Sequence, residues 1–413
     1  MRFLFLTQYY PPEVGAAQTR LHNIAKGLRK LGHEVRVITA MPNYPKGEVL
    51  PNYQGLRYFR EVIDGIPVER TWIVPTRDIG MRRLLSYASF QWSSFWPLLR
   101  AARKWKPNYI LVESPPLFLG LSAIALKRLV KVPFIFNIAD LWPDWAVEMG
   151  LLRKGSLYYA IARWLENWIY RESMWINIVV LEMQKALEAK RVLEEKILFL
   201  PNGVDTELFS PEPRPLKSAL AQELYDRYQG KHLVLYAGTH GKYHGLEVAI
   251  EAAKLLEPRG DIQFLFVGDG AEKQHLMEYS QERRAGNVEF REPVPPQVVA
   301  ELLQISSIAL SVIQIPTRAA KVFPAMAAGK PVVYAGIGEG ADLIRKAQAG
   351  LVVHPKDSHA LAEAVRTLVE DSHLAQTLGR NGAHYVRRYY DWSMLVSRWL
   401  SELQKKEKDI QSA

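Results

Sequence analysis

The sequence predicts an α/β protein with two doubly wound, mostly parallel sheets, one in each half of the chain. Two observations predict this fold. In each half, a buried apolar strand is followed by a loop that contains glycine, then by an amphipathic helix and a second strand. This order begins at residues 2–7 and begins again at residues 232–237. A chain of 413 residues is long enough for two or three domains that each bury a core.

The composition narrows the classes of function. The chain has no cysteine, which excludes disulfides and thiolate metal sites. Its net charge of +10 suits an anionic partner, namely nucleic acid, an acidic membrane surface or a phosphorylated ligand, although a solvated basic surface explains it equally well. DNA binding fits poorly, because the basic residues are not gathered on a recognisable motif.

The first half carries small residues and carboxylates where its strands end. Gly15 and Ala16 stand at the entrance of a helix that follows the first strand, where backbone N–H groups can meet an anion. A packing glycine is the alternative interpretation. Asp140 directly follows the strand at residues 133–138, at the edge where open α/β sheets form their crevice. It could instead cap the helix that follows.

Two predicted helices, at residues 82–106 and 157–175, combine aromatic residues with nearby arginine and lysine. This pattern is typical of a membrane interface, and an apolar helix that covers the sheet is the alternative. The longest uncharged run, residues 84–99, is shorter than the roughly 20 residues that a membrane span needs. The first ten residues are expected to form a buried strand rather than a signal peptide.

The second half is organised around residues 321–343, KVFPAMAAGKPVVYAGIGEGADL. We expect a helix that begins near Lys321, a buried strand at residues 332–334, a glycine turn at residues 336–340 and a new helix from Ala341. Further glycine loops follow two other strands, at residues 238–245 and 268–270. Glycines at the carboxyl end of a strand let a phosphate approach bare backbone N–H groups.

The predicted boundary between the halves lies in the proline-rich stretch at residues 201–215. We expect a first domain at residues 1–203 and a second at residues 204–385. The tail, residues 383–405, is predicted as one long helix without a strand of its own. We expect residues 386–413 to cross back and pack on the first domain.

Nine segments stand in a characteristic order and spacing along the chain: YYPPEVGAAQTRL, GHEVRVIT, SPPLF, DLWPD, LPNGVD, YAGTHGKYHGLE, FVGDG, AAKVFPAMAAGKPVV and AGLVV. Together they make the chain resemble a retaining nucleotide-sugar glycosyltransferase of family 4, with the GT-B architecture. The resemblance covers nearly the whole length, and the DLWPD and SPPLF segments are similar to the branch that builds capsule and O-antigen units on polyprenyl diphosphate carriers.

The resemblance implies a catalytic role for three residues. Lys242 and Lys321 would neutralise the leaving diphosphate, whose charge grows in the transition state. Asp140 would face the transferred sugar or the acceptor hydroxyl. Glu339 and Asp342 would accept hydrogen bonds from the ribose. The other donor-binding residues that the resemblance implies are Gly15, Ala16, Gly238, Thr239, His240, Gly268 and Gly340, with backbone near Val353 for the base.

The sequence departs from the family pattern in two places. The usual arginine and lysine after the first glycine of the second domain fall on Thr239 and His244, and Lys242 would substitute for them. The second glutamate of the family's paired-glutamate motif falls on Pro324 and the first falls near Pro316. Proline cannot accept a hydrogen bond from a ribose through its side chain.

The expected reaction transfers a sugar, most simply from a UDP-sugar, with retention and without a metal or other cofactor. The expected acceptor is lipid-linked, on polyprenyl diphosphate, or a glycan, and the expected location is the cytoplasm, at the inner face of the plasma membrane. His240 and His244 are four residues apart but lack a third metal ligand. The alternatives are a GT-B nucleotide-sugar 2-epimerase and an inactive GT-B scaffold. An NAD-dependent dehydrogenase is disfavoured because neither half carries G-x-G-x-x-G with a distal acidic residue.

Overall fold

The computed structural model describes residues 1–13, 15–44, 46–78, 80–148, 150, 152–315 and 321–412. The chain divides into two compact units. Unit 1 contains Met1–Asn202 together with Trp392–Ala413, and unit 2 contains Gly203–Asp391. The chain therefore passes between the units twice, after Asn202 and after Asp391.

Unit 1 is built on an eight-stranded sheet in which the first strand is central. The strand order is β3-β4-β2-β1-β5-β6-β7-β8, and every pairing is parallel except the edge pair β3–β4. The strands are β1 (Arg2–Leu6), β2 (Glu34–Ala40), β3 (Tyr58–Ile63), β4 (Ile66–Thr71), β5 (Tyr109–Ser114), β6 (Phe134–Ile138), β7 (Trp175–Ile178) and β8 (Ile197–Phe199).

Helices cover both faces of this sheet, which explains why its central strands β5 and β6 are buried along their whole length. One face packs on α2, α3 and α5, and the opposite face packs on α1 and the last helix of the chain. The helices that precede unit 2 are α1 (Ala16–Lys30), α2 (Met81–Trp105), α3 (Leu119–Val130), α4 (Asp144–Glu148), α5 (Leu157–Glu172) and α6 (Glu182–Ala189).

Unit 2 is built on a six-stranded, fully parallel sheet with the order β11-β10-β9-β12-β13-β14. Its strands are β9 (His232–Ala237), β10 (Ile262–Val267), β11 (Val288–Arg291), β12 (Ile308–Val312), β13 (Val332–Ala335) and β14 (Gly350–Val353). Its helices are α7 (Ala219–Arg227), α8 (Glu247–Leu256), α9 (Lys273–Glu282), α10 (Pro296–Ile305), α11 (Val322–Ala327), α12 (Glu339–Ala347), α13 (Ser358–Glu370) and α14 (Ser372–Tyr389).

Both sheets confirm the predicted fold class. In each unit the chain adds strands to one side of its first strand and then crosses to the other side, so the strand order reverses next to β1 and next to β9. Loops at the carboxyl ends of the strands on either side of such a reversal form the crevice of an open α/β sheet. The structure therefore places a potential ligand crevice beside β1 in unit 1 and beside β9 in unit 2.

The predicted single helix at residues 383–405 is wrong, because the chain breaks it in two. The helix α14 ends at Tyr389, and α15 (Trp392–Ser412) begins three residues later. At the break, the backbone N–H of Val204 donates to the carbonyl of Tyr390 (2.9 Å), and the Thr206 hydroxyl donates to the Asp391 carboxylate (2.6 Å). These contacts fix the two residues between the helices, Tyr390 and Asp391, against residues 204–206.

The helix α15 packs on α1 within unit 1, as expected for a C-terminal helix that no strand follows. Its buried face includes Trp392, Val396 and Trp399. A Cβ built on Gly27 of α1 would lie 2.9 Å from a methyl carbon of Val396, so a glycine is needed for this close helix contact. The tail therefore completes the core of unit 1.

Two other helix boundaries differ from expectation. The helix α5 ends at Glu172, and Trp175, which the sequence predicts as the last residue of this helix, begins β7 and is buried in the sheet. The helix α12 begins at Glu339 rather than at Ala341, because Gly338, with φ at +77°, turns the chain directly into it. Glu339 is therefore a first-turn residue of a helix.

Candidate active site

Four loops of unit 2 leave the same edge of its sheet. They follow β9, β10, β12 and β13, and the first of them, residues 238–245, stands at the reversal of strand order. Because the carboxyl ends of parallel strands meet at one edge, the glycine-containing loops that the sequence singled out come together there. The structure thus gathers the predicted donor-binding segments of unit 2 at the place where such sheets bind ligands.

Close backbone contacts join the first two loops. A Cβ built on Gly268 would overlap the carbonyl oxygen of Gly238, and a Cβ built on Gly270 would overlap that of His240. The backbone N–H of His240 donates to the carbonyl of Asp269 (2.9 Å), and that of Glu272 donates to the carbonyl of His240 (3.0 Å). The glycines at these positions therefore let two loops run side by side, and a change in one would move the other.

Lys321 lies against the first loop. Its ammonium donates to the hydroxyl of Tyr236 (2.6 Å) and lies 4.2 Å from the centre of that ring. A Cβ built on Gly238 would be 2.9 Å from the same nitrogen, so the cation sits directly beside the glycine turn. Burial lowers the pKa of Lys321 to about 7, because a charged amine is costly away from water. This is a cation that an anion would stabilise, and not a freely exposed lysine.

His240 is buried and packs among aromatic rings rather than facing solvent. Its ring centre lies 5.8 Å from that of Tyr236 and 6.0 Å from that of Phe290. Neither ring nitrogen has a hydrogen-bond partner among the residues that the structure describes. Burial lowers its pKa to about 4, with a smaller contribution from Lys273. A neutral, enclosed ring is a packing element, and the backbone N–H of His240 already donates to the carbonyl of Asp269.

The two residues of this loop that depart from the family pattern, Thr239 and His244, have different surroundings. Thr239 is exposed, and its carbonyl accepts the Tyr236 hydroxyl (2.7 Å). His244 lies next to Gly241, with 3.3 Å between Nδ1 and the carbonyl oxygen. Burial, and then the charge of Lys321, lower the pKa of His244 to about 4. His244 is therefore neutral near pH 7 and is close enough to Lys321 to sense its charge.

Lys242, the other lysine that we expected to act on the diphosphate, is exposed. It begins a short 3-10 turn, Lys242–His244, and forms no ion pair with any described residue. Of the two lysines, Lys321 is the one whose side chain lies against Gly238. A role for Lys242 would require its side chain to reach over the loop when a ligand is present.

The turn after β13 supplies the predicted ribose-binding carboxylates. Glu339 is partly buried in the first turn of α12, and Gly340 behind it is buried. Asp342 is exposed and pairs with Arg345 (3.1 Å), so a bound ribose would have to compete with this ion pair. The backbone N–H of Gly336 donates to the carbonyl of Val353 (3.1 Å), which ties this turn to the strand expected near the base.

Two prolines stand where the family has its paired glutamates. Pro324 is the third residue of α11, the helix that begins directly after Lys321, and its carbonyl accepts the backbone N–H of Ala328 (3.0 Å). A proline is tolerated in the first turn of a helix, where its missing N–H has no partner in any case. Pro316 lies outside the described residues.

In unit 1, Asp140 lies near a buried ion pair that the sequence did not single out. Arg20 of α1 pairs with Glu113 at the end of β5, and both side chains are at most 5% exposed. Burial raises the pKa of Asp140, and the charge of Arg20 opposes this shift. Asp140 also contributes to the raised pKa of Glu113, after the larger effect of burial. The three charged groups therefore form one electrostatic cluster at the carboxyl edge of the sheet.

A chain of buried hydrogen bonds extends from this ion pair to the end of the protein. Asn137 donates to the second carboxylate oxygen of Glu113 and accepts from Asn177. The indole N–H of Trp399, in α15, donates to the side-chain oxygen of Asn177 (2.9 Å). A glutamate within an otherwise apolar strand was the signal available in the sequence, but its partners are distant in the chain and could not be named.

The predicted anion contact at Gly15 lies at the start of α1. Gly15 is extended (φ 174°) and precedes the helix without a side-chain cap. The loop before it is held by Glu13, whose carboxylate accepts backbone N–H groups of Tyr10 (3.2 Å), Asn43 (2.8 Å) and Tyr44 (2.8 Å). Burial raises the pKa of Glu13 to about 7. The loop before α1 is therefore held by a carboxylate, and the anion contact expected at the first N–H groups of this helix stays a prediction.

The histidines of the glycine loop belong to no metal-type cluster in the described part of the chain. There, the group of three such side chains with ligand atoms within 4.8 Å of one another is Glu247, Glu272 and His275. His275 is exposed, and its Nε2 lies 3.5 Å from Glu247.

Comparison with known proteins agrees with this geometry. The glycosyl transferase 4-like domain matches residues 15–203, and the glycosyl transferases group 1 family matches residues 222–385. The chain is 32% identical over 293 residues to WcaI of Escherichia coli K12, a protein named as a colanic acid biosynthesis glycosyl transferase, with 70% of this chain and 71% of WcaI covered.

Solved structures show the same fold at low sequence identity. Sucrose-phosphate synthase of Thermosynechococcus elongatus superposes over 100% of both chains, with a TM-score of 0.73 and 18% identity. HepE of Anabaena, solved with UDP and glucose, covers 97% of this chain and 99% of its own, with a TM-score of 0.68 and 19% identity. Both units have the Rossmann-like architecture of GT-B enzymes, and the chain belongs to the group 1 glycosyl transferases, with a glycosyl transferase 4-like domain in its first half.

Proposed function

We propose that the chain transfers a sugar, with retention of anomeric configuration, from a UDP-sugar to a lipid-linked or glycan acceptor in the synthesis of a bacterial cell-surface polysaccharide. In this proposal, unit 2 binds the donor and unit 1 binds the acceptor. The name of WcaI supports the polysaccharide assignment, and the HepE structure with UDP and glucose supports the donor.

The observation that carries the proposal is the position of Lys321. Its ammonium lies beside the glycine turn that follows β9, where a diphosphate could accept hydrogen bonds from the backbone and charge from the lysine at once. Burial lowers the pKa of Lys321 to about 7 in the protein without a ligand, and an anion beside the lysine would favour its charged form. The charged lysine would then stabilise the leaving diphosphate most in the transition state, when negative charge builds up on it.

The proposed reaction needs no covalent intermediate on the protein. The bond between the anomeric carbon and the diphosphate oxygen breaks, and a bond from the same carbon to the acceptor oxygen forms on the same face of the sugar. The acceptor proton passes to the leaving phosphate oxygen, so atoms and charge balance. Asp140, with Arg20 and Glu113 behind it, would orient the acceptor hydroxyl or the sugar. Lysine and backbone donors would do the electrostatic work without a metal ion.

The proposed acceptor places the protein at a membrane. We propose polyprenyl diphosphate as the carrier and the cytoplasmic face of the plasma membrane as the location. Within the described residues, each helix is too short or too polar to cross a bilayer. We propose that contact with the membrane is peripheral and runs through the aromatic and basic helices of unit 1.

Calorimetry with UDP and with GDP tests the donor assignment. We expect binding of UDP to the full-length protein, weakened in Lys321→Ala and unchanged in Lys346→Ala, an exposed lysine of α12. The departures at Thr239 and Pro324 make an inactive scaffold the alternative, and absence of nucleotide binding would favour it.

NMR of a UDP-sugar incubated with the enzyme alone distinguishes a transferase from a 2-epimerase, which would convert the donor without an acceptor. With a polyprenyl-linked acceptor added, the anomeric coupling constant of the product reports retention or inversion.

A further inference from the structure

Two helices of unit 1 expose large apolar side chains that no described residue covers. On α2, Trp92 and Trp96 are 77% and 64% exposed, and Leu85, about two turns before Trp92, is 57% exposed. On α5, Leu157, Ile161 and Trp164 are 74%, 53% and 61% exposed. Their spacing of three, four or seven residues puts each set along one side of its helix. We call these six residues the bilayer face.

Both parts of the bilayer face belong to one layer of unit 1. The helices α2 and α5 pack on the same core cluster and on the same side of the sheet, with α3 between them. The opposite side is covered by α1 and α15. The exposed tryptophans and leucines therefore look outward from a single surface, and the core beneath is already filled by the other faces of the two helices.

The layer also has a defined direction relative to the site. A helix that connects two parallel strands runs antiparallel to them, so α2 and α5 begin near the carboxyl edge of the sheet. Leu85 and Leu157 are in the opening turns of their helices. Asp140 follows β6 at that same edge. The apolar surface therefore extends to the edge where the acceptor site is proposed.

The charge around this surface fits an anionic membrane. Residues 79–139 contain nine lysines and arginines and a single acidic residue, Glu113, which is buried against Arg20. Four exposed cations next to the apolar stripes, Arg103, Lys104, Arg153 and Lys154, form no ion pair within the described parts of the chain. Exposed tryptophan beside unpaired arginine and lysine is typical of a surface that meets lipid headgroups.

We propose that the bilayer face docks unit 1 on an anionic phospholipid bilayer, with the carboxyl edge of its sheet at the membrane surface. The delivery of a lipid-linked acceptor to Asp140 rests on the function proposed above, whereas the docking does not. The aromatic rings lie at headgroup depth and the cations contact lipid phosphates. A lipid-linked substrate then reaches the site without leaving the bilayer.

Vesicle flotation of the full-length protein tests this docking. Vesicles of phosphatidylcholine alone are compared with vesicles that contain about a third phosphatidylglycerol, at low and at high salt. We expect the wild type to float with the anionic vesicles and less so at high salt. The variants Trp92→Ser/Trp96→Ser and Leu157→Ser/Ile161→Ser should each lower the bound fraction about tenfold. The matched control is Tyr225→Ser/Leu255→Ser, which removes two exposed apolar residues of unit 2.

Two further measurements keep docking separate from catalysis and folding. Circular dichroism and UDP binding should be unchanged in both test variants, because the site in unit 2 is untouched. A wild type that does not float, or test variants that float as well as the control, would overturn the docking. If the wild type does not float but is an oligomer, and the same variants make it monomeric, the face instead binds a second copy of the chain. Failure of UDP binding in the wild type would overturn the proposed function and leave the docking result standing.

Discussion

The ammonium of Lys321 and the hydroxyl of Tyr236 form a hydrogen bond whose direction is set by a third group. The Tyr236 hydroxyl donates its single proton to the carbonyl of Thr239 (2.7 Å), so it accepts from Lys321 (2.6 Å). Tyr236 is itself buried in β9. The lysine is thereby held beside Gly238 by a rigid aromatic residue, which positions its charge before a ligand arrives.

We expect Lys321→Ala to lower turnover at least about tenfold, because a single donor to a developing charge typically contributes more than that. Tyr236→Phe should have a smaller effect, since it keeps the cation and removes only its anchor. Steady-state rates with a UDP-sugar and acceptor measure both. Rates of Lys321→Ala close to those of wild type would refute the assigned role.

Lys242→Ala distinguishes the two lysines that the sequence placed on the diphosphate. The exposed position of Lys242 and its lack of an ion pair among the described residues predict a smaller loss than for Lys321→Ala. Lys346→Ala, an exposed lysine of the same unit, serves as the control for lost surface charge. A larger loss in Lys242→Ala would mean that the loop at residues 238–245 rearranges when the donor binds.

The affinity for UDP should fall as the pH rises above 7. The pKa of free Lys321 is about 7, and a bound diphosphate would raise it towards the ordinary lysine value. Binding is then strongest while the free lysine is protonated and weakens as it loses its proton. We expect the dissociation constant to rise roughly tenfold or more between pH 7 and 8.5, a window above the phosphate pKa of about 6.

Calorimetry at pH 8 in two buffers of different ionisation enthalpy measures the linked proton directly. Uptake of about one proton per UDP is expected for the wild type. Lys321→Ala should bind more weakly, with little proton uptake. A wild-type affinity that is independent of pH across this window would show that another group supplies the charge.

Breaking the buried pair between Arg20 and Glu113 should destabilise unit 1. Removing one partner leaves an uncompensated buried charge, which typically costs about 3 kcal/mol or more. Arg20→Ala is therefore expected to lower the melting temperature clearly, as measured by circular dichroism. Glu113→Gln should also lower the melting temperature, because it leaves the buried Arg20 cation without its carboxylate.

The double variant Arg20→Met/Glu113→Gln completes a cycle for this pair. We expect it to be more stable than Arg20→Ala, since no unpaired charge is left in the core. Glu34→Gln, which removes an exposed partner of Arg2, is the matched control and should change little. Equal losses in the buried and exposed pairs would contradict the importance of burial.

The fold and the glycine loops could be predicted because their signals are local. Apolar strands, helix periodicity and glycines directly after strands are adjacent in the chain, and Gly238, Gly268 and Lys321 do gather at one edge. The pairing of Arg20 with Glu113 could not be predicted, because it joins residues 93 positions apart.

The same distinction explains the errors. The helix break at Asp391 is held by a backbone pairing with Val204, which lies far earlier in the chain. The enclosed ring of His240 depends on Phe266 and Phe290, contributed by two other strands. A sequence motif indicates which loops meet, whereas tertiary packing decides which side chains on them remain available.

Truncation after Tyr389 should leave an insoluble or inactive protein. It removes α15, whose buried residues complete one face of the sheet of unit 1, and the hydrogen bond from Trp399 to Asn177. Truncation after Lys408 keeps the buried part of the helix and should remain folded. Yield, melting temperature and turnover compare the two. A folded and active protein that ends at Tyr389 would contradict the packing role of α15.

Gly268→Ala tests the contact between the two glycine loops. A Cβ at this position would overlap the carbonyl oxygen of Gly238, and the φ of +150° is one that other residues rarely adopt. Because the obstacle is backbone, the loops must separate, which would move Gly238 away from Lys321. We expect at least about a tenfold loss of UDP affinity.

The matched control for this substitution is Gly80→Ala in unit 1. No described atom outside its immediate chain neighbours lies within 4 Å of a Cβ built on Gly80, and its φ is negative. It should therefore keep both stability and UDP affinity. Circular dichroism separates loss of the site from loss of the fold, since only the loops of unit 2 should move in Gly268→Ala. Unchanged affinity in Gly268→Ala would mean that the spacing of the two loops does not determine the geometry of the donor site. The contacts that bind the diphosphate would then have to come from Lys321 and the turn after β13.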